Sequence, residues 1–258
     1  MFEKAEISAA YIKSPFGKTY RALNCLDIAR YVDKEEGRLW LKSELMNVAG
    51  GFDALVNPPI CGVYEYASVY ADICSLGADV IEMLSIPPGV GGFRLREALV
   101  KEAKKLNVKF MENCSVQRAV TDNKHCKSLI ALHSDIAGAI ETEYSADKFI
   151  IATGGIIGGG LDISYDEARE SIFKIPLKAP DSVEQRSERD VFASHAFAKF
   201  GVAVSPDLKA VDDNGETLYD NVFFAGNTLG GYDFSAEKSG YGVAAATGYA
   251  AAMAALRK

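Results

Sequence analysis

The chain has 258 residues, room for one large domain or two small ones. It sets 28 Lys and Arg against 35 Asp and Glu, a formal charge of −7, and that sign argues against nucleic acid as the main partner because phosphate contacts need a basic face. Apolar residues make up 48% and charged ones 24%, enough for a packed core, and no run approaches the roughly 18 apolar residues of a membrane span.

The opening Met1-Phe2-Glu3-Lys4-Ala5-Glu6 lacks the basic start and apolar stretch of a signal peptide. Lys13 to Gly17 reads as a turn, Arg21 to Val32 as a loose helix and Leu39 to Ala49 as a second helix closed by Gly50-Gly51. An α/β rhythm follows: strand Ala54–Val56, helix Tyr64–Leu76, strand Asp79–Ile86, helix Phe93–Leu106 and strand Val108–Met111. In the helix over 93–106, Phe93, Leu95, Leu99, Val100, Ala103 and Leu106 form one apolar stripe. From Val116 to Tyr144 the period changes to two, which predicts an antiparallel meander. Lys148 to Gly155 reads as a strand buried on both faces that runs into glycines. Leu161 to Leu218 is irregular. A last strand covers 221–227, and an alanine-rich helix covers 243–256.

Five cysteines (Cys25, Cys61, Cys74, Cys114, Cys126) form no C-x-x-C pair, and the three histidines are scattered. They read as reduced thiols in a cytoplasmic protein, with no metal site and no disulfide frame.

Two glycine-rich strand ends carry the functional signal. One is Thr153-Gly154-Gly155. The other runs from Gly226-Asn227 through Gly230-Gly231 to Gly240-Tyr241-Gly242, where a helix opens. Backbone N–H groups at such places attract anions, and glycine lets a phosphate approach the chain. Gly240-x-Gly242-x-x-Ala245 fits a dinucleotide fingerprint only poorly, because its strand ends well before it. Close helix–sheet packing would also select small residues there.

The block Gly226-Asn227-Thr228-Leu229-Gly230-Gly231-Tyr232-Asp233-Phe234, with Ser239-Gly240-Tyr241-Gly242-Val243, resembles the C-terminal flavin motif of the B subunit of anaerobic glycerol-3-phosphate dehydrogenase. So do Phe149–Gly155, Leu84–Pro88 leading to Phe93-Arg94-Leu95, Tyr20–Leu23 to Ile28–Asp33, and Lys199–Val202, so the resemblance spans nearly all of the chain. Asn227, Lys238 and Tyr241 stand where that family has small residues. Members of the family begin with a strand, a G-x-G-x-x-G turn and a helix, so the chain is expected to start inside the family's middle region.

The resemblance implies an α/β fold, the C-terminal portion of a two-domain flavoprotein. The flavin-binding part would comprise residues 91–157 and 218–258, and the substrate or cap part residues 1–90 and 158–217. It implies a bound flavin, FAD or FMN, held by Thr153, Gly154, Gly155, Gly226, Asn227, Gly230, Gly231, Gly240 and Gly242. It also implies oxidation of sn-glycerol 3-phosphate to dihydroxyacetone phosphate, with electrons passing to an iron–sulfur partner. Expected partners are a catalytic A-type flavoprotein subunit and an iron–sulfur membrane-anchor subunit. The chain itself would insert in no membrane and would reach the inner membrane only through a partner. A phosphate substrate calls for cations, and Arg94, Arg21 and Arg186 are the candidates; an alcohol calls for a base, and His195 is the candidate, with a core histidine as its plainer role. Asp233 and Glu237 read as turn caps. Alternatives are a non-catalytic flavoprotein-like scaffold and a related flavin oxidoreductase with another substrate.

Overall fold

The structure is a computed structural model that describes residues 7–17, 23–85, 89–135, 138–180 and 182–257. It divides into two compact units, Met1–Phe110 and Met111–Lys258. The sequence puts a boundary after residue 90; the structure keeps the helix beyond it with the first unit.

In the first unit, helix α1 (Cys25–Val32) opens on a capping box in which Asn24 and Asp27 each accept the other's backbone N–H through the side chain. It is followed by α2 (Glu35–Ala49), β1 (Ala54–Asn57), α3 (Tyr66–Cys74) and β2 (Asp79–Glu82), with β1 and β2 parallel. Val32, Leu41, Leu45, Val69, Ile73 and Val80 form the core between them. The Asp33 carboxylate accepts N–H groups from Val63, Tyr64 and Glu65 and so fixes the turn that leads to α3.

Helix α4 (Val90–Lys105) forms where its period says, but its apolar stripe is only partly covered: Val90 is its one buried residue and Phe93 packs beside it, while Leu95 and Leu99 are 45% and 61% exposed. Periodicity reports an apolar face whether or not the same chain covers it. The strand expected over 108–111 is absent. Asn107 turns to φ 59°, and the Val108 N–H bonds back to the Ala103 carbonyl, so this stretch closes the helix instead of pairing with a neighbour.

In the second unit, β3 (Cys114–Asp122), β4 (His125–Asp135) and β5 (Gly138–Ser145) make the expected antiparallel meander. Strand β6 (Phe149–Ile151), the hairpin of β7 (Leu161–Ile163) and β8 (Ala168–Glu170), β9 (Val222–Phe224), α5 (Phe234–Glu237) and α6 (Gly240–Leu256) come next. Strands β6 and β9 pair in parallel. β6 buries Phe149 and Ile151 but leaves Ile150 43% exposed, so it is apolar on both faces and covered on one. The buried Asn221 side chain ties this pair to the meander: its Oδ1 accepts the Cys126 N–H, and its Nδ2 donates to the carbonyls of Cys126 and Asp147. All five cysteines are free thiols, two of them buried.

The stretch after β9 lies directly on the chain at 199–202. Val202 N–H donates to the Thr228 carbonyl, Gly230 N–H to Val202 and Gly231 N–H to Lys199. A Cβ on Gly201 would sit 2.3 Å from the Gly230 amide nitrogen, inside van der Waals contact. Gly201→Ala should therefore pry these segments apart and cost roughly 2–4 kcal/mol, read as a fall in the second unit's unfolding midpoint; an unchanged midpoint would refute the contact.

Glu170 is fully buried, and its carboxylate accepts N–H groups from Ile172 and Phe173. Burial pushes its carboxyl up, and the two backbone bonds do not cancel that. The folded chain then keeps this proton to higher pH than the unfolded one, so the group's stabilisation is full in acid and fades as pH rises through the raised value. The parent's stability minus that of non-titrating Glu170→Gln should be most positive at and below the ordinary carboxylate value of 4.5 and should fall as pH rises toward neutrality. Paired melts across that range check it, and a difference that moves in the parent's favour as pH rises would contradict the sign.

Candidate functional site

Parallel strands end together, and the turns beyond their ends decide what a fold can bind. After β6 the chain turns at Gly154 (φ 86°), and after β9 it turns at Gly226 (φ 71°) and Gly231 (φ 91°), conformations that suit glycine. The two ends meet: the Thr228 hydroxyl donates to the Gly154 carbonyl at 3.3 Å, and a Cβ on Gly155 would lie 3.2 Å from the Asn227 carbonyl oxygen.

A cavity of about 730 Å³ opens beside this meeting point, inside the second unit. Gly155, Ile156 and Gly158 line one side; Phe192, His195 and Phe197 come from the irregular stretch; Asn227, Tyr232, Phe234 and Lys238 come from the segment after β9. The walls are mainly apolar with a few placed polar groups, and the size suits a small organic ligand.

Among the expected site residues, Gly155, Asn227 and His195 line the cavity. Thr153, Gly154, Gly226, Gly230 and Gly231 shape the backbone beneath it. Gly230 serves contact with Gly201, and the Thr153 hydroxyl is buried without a partner, facing Gly160. Gly240 and Gly242 stand in the first turn of α6; a Cβ on Gly242 would meet nothing within 4 Å.

Neither Arg94 nor Arg186 is among the residues that line the cavity. In the second unit, Arg186 is buried and donates to the carbonyls of Pro180, Ser164 and Tyr165, which clamps the irregular stretch. In the first unit, Arg94 donates through Nε to the Gly62 carbonyl at 2.7 Å and through both terminal nitrogens to Glu82, with its guanidinium over the Tyr66 ring. Arg21 lies outside the described residues.

His195 is held at both nitrogens. Nδ1 accepts the Glu188 N–H at 3.0 Å, and Nε2 donates to the Val191 carbonyl at 3.1 Å, which sets the tautomer. Its ring stacks on Phe197. Asp233 caps α5 by accepting the N–H groups of Ser235 and Ala236, and Glu237 accepts the Asp233 N–H, so both are turn caps. Tyr232 donates to Asn227 Oδ1 at 2.8 Å. Burial pushes the Tyr232 phenol up, with help from the Glu237 charge, so it keeps its proton and leaves the Asn227 amide NH2 as a donor at the cavity wall.

The aromatic wall is not legible in the sequence. Phe192 and Phe197 lie in a stretch without period, and only the fold brings them opposite Ile156. No group of three or more metal-ligating side chains occurs among the described residues. No helix among them is long and apolar enough to cross a membrane.

The arrangement is that of an α/β protein with a ligand cavity at the ends of a parallel strand pair, and the chain belongs to the FAD binding domain family, which it matches over residues 3–243. Among curated proteins it is 34% identical over 229 residues to the B subunit of a probable anaerobic glycerol-3-phosphate dehydrogenase of Halobacterium salinarum, covering 84% of this chain and 50% of that protein. It is 31% identical over 226 residues to the B subunit of the anaerobic glycerol-3-phosphate dehydrogenase of Pectobacterium atrosepticum, covering 87% and 51%. With the Vibrio cholerae protein of the same name it shares 29% over 241 residues, 91% and 53%. The chain thus spans about half the length of the curated relatives it matches. No solved structure matches it.

The Arg94–Glu82 pair shows how the first unit uses charge. The side chains are 17% and 10% exposed. Burial pushes the Glu82 carboxyl up, but the Arg94 hydrogen bonds and the Cys61 N–H outweigh it and hold it below its ordinary value. The same site drives the buried Cys61 thiol up to about 12. A depressed carboxyl stabilises above its unfolded value and loses that stabilisation as pH falls. Arg94→Met should therefore cost on the order of 3 kcal/mol at neutral pH and less in acid, where Glu82 is protonated and needs no partner. Hydrogen exchange across 54–82 measures it, and an equal loss at both pH values would count against the pairing.

Proposed function

We propose that the chain supplies the flavin-contacting and substrate-facing half of a flavin-dependent dehydrogenase whose substrate is sn-glycerol 3-phosphate and whose product is dihydroxyacetone phosphate. The observation that carries this reading is the cavity where the ends of β6 and β9 meet. Its residues suit a planar, mainly apolar ring: Ile156, Phe192 and Phe234 offer flat apolar contact, and the Asn227 amide offers a donor fixed by Tyr232. Residues 149–157 and 221–238 form the flavin side, and the 191–200 stretch forms the substrate side. Gly155 keeps the backbone at the cavity wall free of a side chain, and Gly154, Gly226 and Gly231 supply the turns that bring the two strand ends there. A bound flavin would supply the hydride acceptor.

His195 is the proposed proton acceptor. Its lone pair sits on Nδ1, and a substrate hydroxyl would take the place of the Glu188 N–H there. That engagement at both nitrogens also favours a second reading, a flavin-holding subunit that relays electrons without oxidising an alcohol itself. In either reading the subunit works in a complex with an A-type flavoprotein and an iron–sulfur subunit, on the cytoplasmic side of the membrane and attached through its partners.

Titration with FAD and FMN tests the reading. Bound flavin should lose fluorescence and show a resolved visible band at about one flavin per chain, either with the chain itself or with a version carrying a relative's full length. A full-length version that stays colourless in excess flavin would overturn it. Should flavin bind, His195→Gln separates the two readings: the first expects kcat for glycerol 3-phosphate to fall roughly 100-fold or more with flavin binding intact.

A further inference from the structure

We infer that Lys238 is the cation that receives a phosphomonoester group in the cavity of the second unit, an inference that rests on the reading of that cavity as a ligand site. Lys238 is the one lysine or arginine among the residues that line it. Its neighbours are already satisfied. Asp233 accepts two backbone N–H groups, Glu237 accepts the Asp233 N–H and the Ser239 hydroxyl, and both His195 nitrogens are engaged. Arg186, expected to bind the phosphate, is committed to three backbone carbonyls.

The Lys238 ammonium has no carboxylate within ion-pair distance among the described residues. Ser194 and Ser235 line the same cavity, and their hydroxyls have no partner among the described residues. Lys238, Ser194 and Ser235 are all exposed, so the ammonium and the two hydroxyls stand at the solvent-facing rim of the cavity, where together they suit a compact oxyanion entering from water. A phosphomonoester can come from two sources, the ribityl phosphate of FMN or the phosphate of glycerol 3-phosphate, and both present the same dianion.

The backbone supplies a control. Lys238 sits in the left-handed conformation, φ 56° and ψ 27°, at the end of α5. Glycine adopts that conformation without strain, so Lys238→Gly should leave the fold intact or raise its unfolding midpoint by about 2–4 °C. A lysine that served only the turn would show the same midpoint change with unchanged ligand affinity.

The test titrates the chain with riboflavin against FMN and with glycerol against glycerol 3-phosphate, in the parent and in Lys238→Met, Lys238→Gly and Lys238→Arg. The parent should favour the phosphorylated member of at least one pair by about tenfold or more. Methionine and glycine should abolish that preference, and arginine should keep it. Loss in the flavin pair assigns the phosphate to the cofactor, and loss in the glycerol pair assigns it to the substrate. Equal affinity for both members of each pair in the parent, or a preference that survives Lys238→Met and Lys238→Gly, overturns the inference. Flavin binding without phosphate preference would sink the role of Lys238 while the flavin reading stands; glycerol 3-phosphate binding that depends on Lys238 without any flavin binding would do the reverse.

Discussion

The second unit is organised by backbone packed on backbone. The parallel pair of β6 and β9 ends in two glycine-bearing turns, and the chain at 199–202 runs against the second of them with no side chain between. Phe197 and Phe200, Ile156 and Leu229 all line the cavity beside that contact. Hydrogen bonds between main chains also determine how far the walls stand apart, because the Gly230 and Gly231 N–H groups are anchored to Val202 and Lys199. A bulkier residue at Gly201 would widen the gap and turn the aromatic side away.

Backbone packing of this kind limits which features a sequence can reveal. Strand ends running into glycine are visible as a pattern, and both ends can be located from residues 149–155 and 226–231. The pattern does not say what each glycine is for. Gly154 and Gly226 answer to backbone angle, Gly230 to a separate, earlier segment of the chain, and only Gly155 to the cavity itself. Glycine has no side chain to signal its partner, so these roles separate only when the tertiary contacts are known. The helix α6 is legible from the helical propensity of its alanine run, and the meander from its alternation of period two. The 191–200 wall is not, because its aromatic residues owe their places to turns and carbonyl bonds made by Arg186.

Charge is the least legible property. A lone arginine after a glycine-rich turn has the look of an anion site, and Arg94 has that look. Its true partner, Glu82, lies on the preceding strand, and the pair becomes evident only when β2 and α4 are set side by side. Arg186 misleads in the same way, since backbone carbonyls leave no mark in a sequence. Lysine is easier to overlook. Its charge is compact and its stem flexible, and a position such as Lys238 draws notice only because no carboxylate among the described residues lies within ion-pair distance of it.

Loop order and chemistry are coupled in the cavity wall. An alcohol oxidation needs a proton acceptor, and the imidazole at the wall already accepts one N–H and donates another. Both contacts run to residues 188 and 191, so His195 holds together the loop that carries Phe192. In the proposed reaction, proton transfer through Nδ1 has to exchange the Glu188 N–H, and the Ser187 hydroxyl beside it at 3.3 Å, for a substrate hydroxyl, and the loop then loses the anchors it has at that nitrogen. In the proposed reading, substrate binding and loop order would be linked at a single nitrogen: a hydroxyl that reached Nδ1 would loosen the loop, while a flavin ring resting on Phe192 would tighten it.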